Sequence, residues 1–322
     1  MTLNVGSLVA AAMTVLLLSG CSGGTNQPAS GSTGAPRPVV VVSDSVLGDV
    51  VRHVVGDAAD VSTIIPVGAD AHEFQISARE LSHVEGADAV IVTGVGFTEG
   101  LNDVIEALRG GSVPVFDASS ALRDPLPAGG VDDDGYDDDD GHDDGVGIDL
   151  HYFMDPSRMA QVVDGIVDFL SGSVEEIDVD RMRATVTDYL AELSALELEI
   201  EQMLAGIPPT DRALVTDHNV LGYFADRYDF DIAGIVNPGG SHGGTSARDL
   251  AALTELIRRR DLPAMFITTS APGELVETVA SEVGDVSVVP LFTESLGPAG
   301  SGAETYVEMM RTNARRIVAA LG

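Results

Sequence analysis

The spacing of apolar and polar residues switches repeatedly between two periods along this chain. The run VVVVS at 39–43 is continuously apolar and β-branched, which predicts a buried strand. VLGDVVRHVVG at 46–56 then repeats its apolar positions at helical steps and ends on Gly56. The same alternation gives strands at 61–67, 89–94 and 113–119 and helices at 77–87 and 98–110. Ser77 with Glu80 has the spacing of a capping box. Asp155 followed by Pro156 opens a helix over 155–172. A second βα series follows, with strands at 212–218, 231–237, 264–270 and 286–292 and helices at 219–228, 246–260, 273–284 and 303–321.

Between the two series lies the strongest helical signal, residues 180–206. Val186, Leu190, Leu193, Leu196, Ile200 and Leu204 recur there at steps of three and four. A helix of about 25 residues is close to 40 Å long at about 1.5 Å per residue, which suits a rigid strut between lobes. The expected fold is therefore α/β: two Rossmann-like βα lobes with parallel sheets, joined by one long rigid helix. The expected division is an N-terminal lobe over 38–172, a linking helix over 173–206 and a C-terminal lobe over 207–322. Ligands of such sheets bind beyond the carboxyl ends of the strands, so the cleft between the lobes is the expected site.

The N-terminus reads differently. LVAAAMTVLLL at 8–18 is apolar but short for a bilayer span, and LSGC follows it. This resembles a bacterial lipobox, which implies a signal peptide over 1–20 and lipid attachment at Cys21. The other reading is an apolar segment with an incidental cysteine. Residues 21–37 are rich in Gly, Ser, Thr and Pro, as expected of a tether that builds no core. Cys21 is the sole cysteine of the 322 residues, which excludes an internal disulfide and any zinc or iron–sulfur site built on several cysteines. The chain has no lysine and a net charge of −34, so nucleic acid is excluded as a partner class.

Nine aspartates crowd the segment 131–146, with His142 among them. A run of like charge of this kind repels itself and has no EF-hand spacing. It reads either as a solvated loop or as an accessory cation collector in which His142 assists.

Of seven histidines, three fall where strands end or helices begin. His72 follows the strand at 61–67, His151 precedes the helix at 155, and His218 ends the strand at 212–218. Glu294, past the last strand, is a fourth candidate. Three imidazoles with one carboxylate suit tetrahedral Zn2+. Spacing alone does not select them: no pair forms H-x3-H or HExxH, and on pattern alone each histidine reads more readily as a loop or capping residue. Asp70, Asp149 and Asp217 each stand one or two residues before a candidate ligand, where they would either orient an imidazole or cap a turn. Glu73, beside His72, is the residue that a hydrolase reading would need as a base.

Four segments carry a family resemblance: DAH at 70–72, HYFMDP at 151–156, DHNVLGYF at 217–224, and ESLGPAGSGAETYVEMMRTN at 294–313. In that order they resemble the zinc/manganese class of ABC-transporter solute-binding lipoproteins, the ZnuA/TroA-like family. The resemblance implies metal ligation by His72, His151, His218 and Glu294 and no catalysis. It implies an extracytoplasmic monomer, lipid-anchored to the cell membrane, whose partners are an ABC permease and its ATPase. The chain departs from the family's pattern at Ala71, where Pro is usual, and at Glu294, where Asp is usual. It departs again at Thr268, where many relatives have Glu. Three imidazoles and the acidic loop imply Zn2+ as the transported ion in preference to Mn2+. The competing readings are a manganese or iron carrier, a metal-dependent hydrolase, and a surface adhesin.

Overall fold

In the computed structural model the described residues are 36–128, 147–237, 245–270 and 273–322. The expected signal peptide, the tether up to residue 35, Cys21, the acidic loop with His142, and His242 lie outside them.

The first lobe is a parallel sheet of four strands: β1 (Val39–Val42), β2 (Asp60–Thr63), β3 (Ala89–Val92) and β4 (Val115–Asp117). Their order is β2-β1-β3-β4. The helices α1 (Ser45–Val55), α2 (Ala78–Glu85) and α3 (Glu99–Arg109) connect them. The second lobe repeats the plan with β5 (Ala213–Thr216), β6 (Asp231–Ile235), β7 (Ala264–Thr268) and β8 (Ser287–Leu291), ordered β6-β5-β7-β8 and again parallel. Its helices are α6 (Gly222–Tyr228), α7 (Ala247–Arg260) and α8 (Glu274–Val283). The expected α/β fold of two parallel sheets is present. In each sheet the strand order reverses beside the first strand, and it is there that an open α/β sheet leaves a crevice.

Local signals act as read. Ser77 and Glu80 form a reciprocal capping box on α2. Asp155 caps α4 (Pro156–Ser173), with Pro156 in its first turn. Gly56 closes α1 with φ of 50°, a left-handed conformation that glycine adopts without strain. The strand predicted at 61–67 stops early. Ile64 and Ile65 still donate backbone hydrogen bonds to Val42 and Ser43, but Pro66 has no N–H to continue the ladder. Pro290 is tolerated in β8 because β8 is an edge strand.

The long helix α5 (Val179–Leu204) buries Met182, Val186, Tyr189, Leu193, Leu196, Ile200 and Leu204. Tyr189 takes the stripe position that the pattern assigned to Leu190, which is half-buried. α5 packs against α1, α4 and α9 (Tyr306–Leu321), so it is bedded in helices along its buried face. The main hydrophobic core runs through both lobes, from Val40 and Ile91 through Ile200 to Phe224 and Ile317. A smaller core of Val215, Met265, Ile257, Val276 and Val279 lies in the second lobe.

The last helix ties the halves together. Tyr306 N–H donates to Asp49 Oδ2 at 2.9 Å, and its hydroxyl donates to the carbonyl of Phe153 at 2.9 Å. Asn313, wholly buried, clasps Phe292 in both directions, at 2.9 and 2.6 Å. Phe153 lies two residues after His151, and Phe292 two before Glu294. No helix among the described residues is long and apolar enough to cross a membrane.

Candidate metal centre

All four predicted site residues meet where the two lobes face each other. One ligand atom from each of His72, His151, His218 and Glu294 lies within 4.8 Å of every other. The imidazole centroids of His72, His151 and His218 are 5.6 to 5.9 Å apart. Glu294 Oε1 lies 2.6 Å from His72 Nε2, 2.9 Å from His218 Nε2 and 3.4 Å from His151 Nε2. The last contact lacks hydrogen-bond geometry, and His151 Nε2 is buried without a hydrogen-bond partner. A buried lone pair of this kind is costly unless a proton donor or a metal ion meets it. Around a four-coordinate ion with bonds of about 2.1 Å, neighbouring donors stand about 3.4 Å apart. The cluster is near that size, and its N3O composition suits a divalent transition metal.

Each candidate ligand has its own mount. His72 sits in a turn after β2, where Asp70 Oδ1 accepts the backbone N–H groups of His72 at 2.9 Å and Glu73 at 3.3 Å. Asp70 therefore holds the turn. Asp149 Oδ1 accepts from the backbone N–H of His151 at 2.9 Å and from its Nδ1–H at 2.7 Å. Asp217 Oδ1 does the same for His218, at 3.0 and 3.2 Å. An ionised carboxylate is only an acceptor, so both rings carry their proton on Nδ1 and turn Nε2 toward the centre. Glu294 is 2 % exposed, just beyond β8.

Charge in the cluster is mutually supported. Burial pulls His218 down, but hydrogen bonds to Asp217 and Glu294 outweigh it and raise it to about 10. Burial likewise opposes charge on His151, and the hydrogen bond to Asp149 with the nearby negative charge of Glu294 raises it to about 8. Burial pushes Glu294 up, yet the three imidazoles hold it well below the usual carboxylate range.

Several contributors carried no signal in the sequence. Phe97, 3 % exposed, lies 5.3 Å from the His72 ring and 5.8 Å from the His151 ring and walls off one side. Ser45 and Ser295 bring their hydroxyls within 3.3 Å across the lobes. Ser45 Oγ also accepts from Leu296 N–H at 3.1 Å, while Ser295 Oγ accepts from Gly68 N–H at 2.7 Å. The segment bearing Glu294 is thus laced to the start of α1 and to the approach to His72. Tyr223 accepts from Leu126 N–H at 3.0 Å and donates to the Asp149 carbonyl at 2.9 Å. The other described histidines are elsewhere: His53 stacks on Tyr189 at 4.7 Å, and His83 pairs with Ser62 at 2.7 Å. Glu73 is exposed.

Residues 40–320 match the family described as zinc-uptake complex component A, periplasmic (ZnuA), and the chain belongs to that family. Among curated proteins it is 29% identical over 312 residues to the manganese-binding lipoprotein MntA of Halalkalibacterium halodurans, covering 95% of each chain. It is 27% identical over 294 residues to the zinc-binding protein TroA of Treponema pallidum, covering 88% of this chain and 89% of that one. The solved structure of periplasmic zinc-binding TroA from Treponema pallidum superposes with a TM-score of 0.76 at 25% identity, over 89% of this chain and 99% of that one. A Mn-bound periplasmic metal-binding protein from Candidatus Liberibacter asiaticus shares the fold, with a TM-score of 0.74 at 18% identity over 89% of this chain and 100% of that one. The chain is thus a metal substrate-binding protein of the ABC-transporter class and not an enzyme.

Proposed function

We propose that the protein captures Zn2+ outside the cytoplasm and hands it to an ABC permease powered by its ATPase. The ion is cargo, held by His72, His151, His218 and Glu294. The observation that carries this reading is the meeting of three Nε2 atoms and one buried carboxylate oxygen at the interlobe cleft. Four protein ligands leave no position for a reacting water, which suits capture and release. Two ligands come from each lobe, so the ion would bridge them. With α5 bedded along its length, rearrangement on binding should stay local to the loops.

Zinc is favoured over manganese by the donor chemistry, since imidazole-rich sites suit zinc and oxygen-rich sites suit manganese. Manganese is the second reading, and its support is the relative named for manganese. The lipobox-like LSGC motif supports lipid anchoring at Cys21 and action as a tethered monomer. The aspartate run with His142 is the proposed accessory collector.

Metal analysis of the purified protein, followed by competitive titration of Zn2+ against Mn2+, tests the proposal. Zinc should bind at one ion per chain and displace Mn2+, and His218→Ala should abolish this. A wild-type protein that prefers Mn2+ would overturn the zinc assignment; one that binds neither ion would overturn the site.

A further inference from the structure

Behind His218 the chain buries two threonine hydroxyls that metal capture by the four ligands does not by itself require. Thr268, at the end of β7, and Thr293, just before Glu294, are each 1 % exposed. Thr293 Oγ1 donates to Thr268 Oγ1 at 2.9 Å. Thr268 Oγ1 in turn donates to Asp217 Oδ1 at 3.4 Å, and Thr268 backbone N–H donates to Asp217 Oδ2 at 2.8 Å. Each hydroxyl has one proton to give, so donation runs in one direction, from Thr293 through Thr268 to Asp217. Asp217 ends with both oxygens engaged, Oδ1 being the one that also holds the His218 backbone and ring.

These contacts close a ring. Glu294 Oε1 touches His218 Nε2 at 2.9 Å, and His218 Nδ1 meets Asp217. Asp217 is held by Thr268, Thr268 by Thr293, and Thr293 is covalently next to Glu294. The ring spans the carboxyl ends of β5, β7 and β8, three neighbouring strands of one sheet. Two ligands that are 76 residues apart in sequence are thereby held at one spacing through a buried hydroxyl pair.

We propose that Thr268 and Thr293 are positioning residues for metal capture, a hydroxyl relay that sets the His218–Glu294 spacing through Asp217. The proposal rests on the ligand reading above. Neither hydroxyl touches the ion; both act on the ring that does. A partner one shell out from a metal ligand commonly changes affinity by about 10- to 100-fold. A relay one step further out belongs at the lower end of that range.

The test compares Thr268→Val, Thr268→Ser, Thr293→Val and the double Thr268→Val/Thr293→Val variant. The readouts are Zn2+ affinity by chelator competition, the visible absorption of the Co2+-loaded protein, and metal-free thermal stability. Thr268→Val should lower Zn2+ affinity about tenfold and shift the Co2+ bands. Thr268→Ser should restore both. The double variant should match Thr268→Val, because serial links are not additive. Thr293→Val carries the same test where Thr268→Val does not fold, and should move the Co2+ bands in the same direction. Wild-type affinity and spectrum in both valine variants overturn the relay, as does failure of serine to rescue. Affinity loss that only tracks lost stability also overturns it. His218→Ala separates the two claims: if it keeps full affinity the ligand reading falls, and if it loses affinity while the valine variants do not, only the relay falls.

Discussion

Asp149 holds His151 by two hydrogen bonds to one oxygen, taking the backbone N–H at 2.9 Å and Nδ1–H at 2.7 Å. Backbone and ring are fixed together, so the direction of Nε2 follows from the turn. Asp149→Ala should therefore lower metal affinity by roughly 10- to 100-fold, with the chain still folded. Chelator competition on the purified variant measures this, and an affinity within twofold of wild type would contradict the mount.

Glu294 is the one carboxylate in the cluster, and Oε1 faces all three imidazoles. Glu294→Ala should cost more affinity than loss of an outer partner, hence more than about 100-fold. Glu294→Asp should fall between that variant and wild type. Its shorter arm withdraws the oxygen, while the Ser45–Ser295 contact restrains the loop from following. Isothermal titration of the two variants ranks them, and equal affinity for Asp and Ala at this position would refute the geometry.

The imidazoles make metal loading a proton exchange. His218 is raised to about 10 and His151 to about 8, against about 6.5 for a free imidazole. In the metal-free protein their contribution to stability is full below about pH 6.5 and is lost as pH rises through 8 and then 10. The metal-bound form needs both rings unprotonated at Nε2, so affinity should climb over the same window as stability of the metal-free form declines. Calorimetry in buffers of different ionisation enthalpy near pH 7 should find protons released on Zn2+ binding. No net release would contradict the assignment.

The ends of the acidic segment are already joined across its base. Ala128 N–H donates to the Gly147 carbonyl at 2.7 Å, and Asp149 N–H to the Leu126 carbonyl at 2.8 Å. Replacing 129–146 by a short Gly-Ser linker between Ala128 and Gly147 should change the melting midpoint by less than about 2 °C, under about 1 kcal/mol for a chain of this size. The cleft affinity should persist while loading slows at limiting zinc. Unchanged loading would remove the collector role proposed for the aspartates and His142. A large loss of affinity would show that the segment takes part in the cleft itself.

Much of this arrangement is legible before folding, and the exceptions have physical reasons. The helices with a continuous apolar stripe, such as α1 and α5, follow from period alone. Capping by Ser77 and Asp155 follows from local chemistry. His72, His151, His218 and Glu294 could be placed at element ends, but their convergence depends on how two sheets face each other. Asp70, Asp149 and Asp217 have nearly the same sequence setting, yet Asp70 grips only backbone while the others also grip a ring. That choice is made by the turn each occupies. Phe97 left no trace because it meets His72 and His151 only once the loops of the first sheet are in place, and the Ser45–Ser295 pair because its meaning exists only across lobes, the serines being 250 residues apart in sequence.

The last helix gives the molecule an order of assembly. Tyr306 anchors the carbonyl of Phe153 beside one ligand, and Asn313 clasps Phe292 beside another. Both anchors emerge from the ribosome after all four proposed ligands have been made. The first lobe carries the aspartate mounts of His72 and His151 itself, but the backbone at Phe153 and at Phe292 gains these two contacts only when α9 docks. A chain released before that point would carry every donor atom and lack the braces at two of them. The finished bracing beside His151 and Glu294 therefore waits on a helix that is made after both of them.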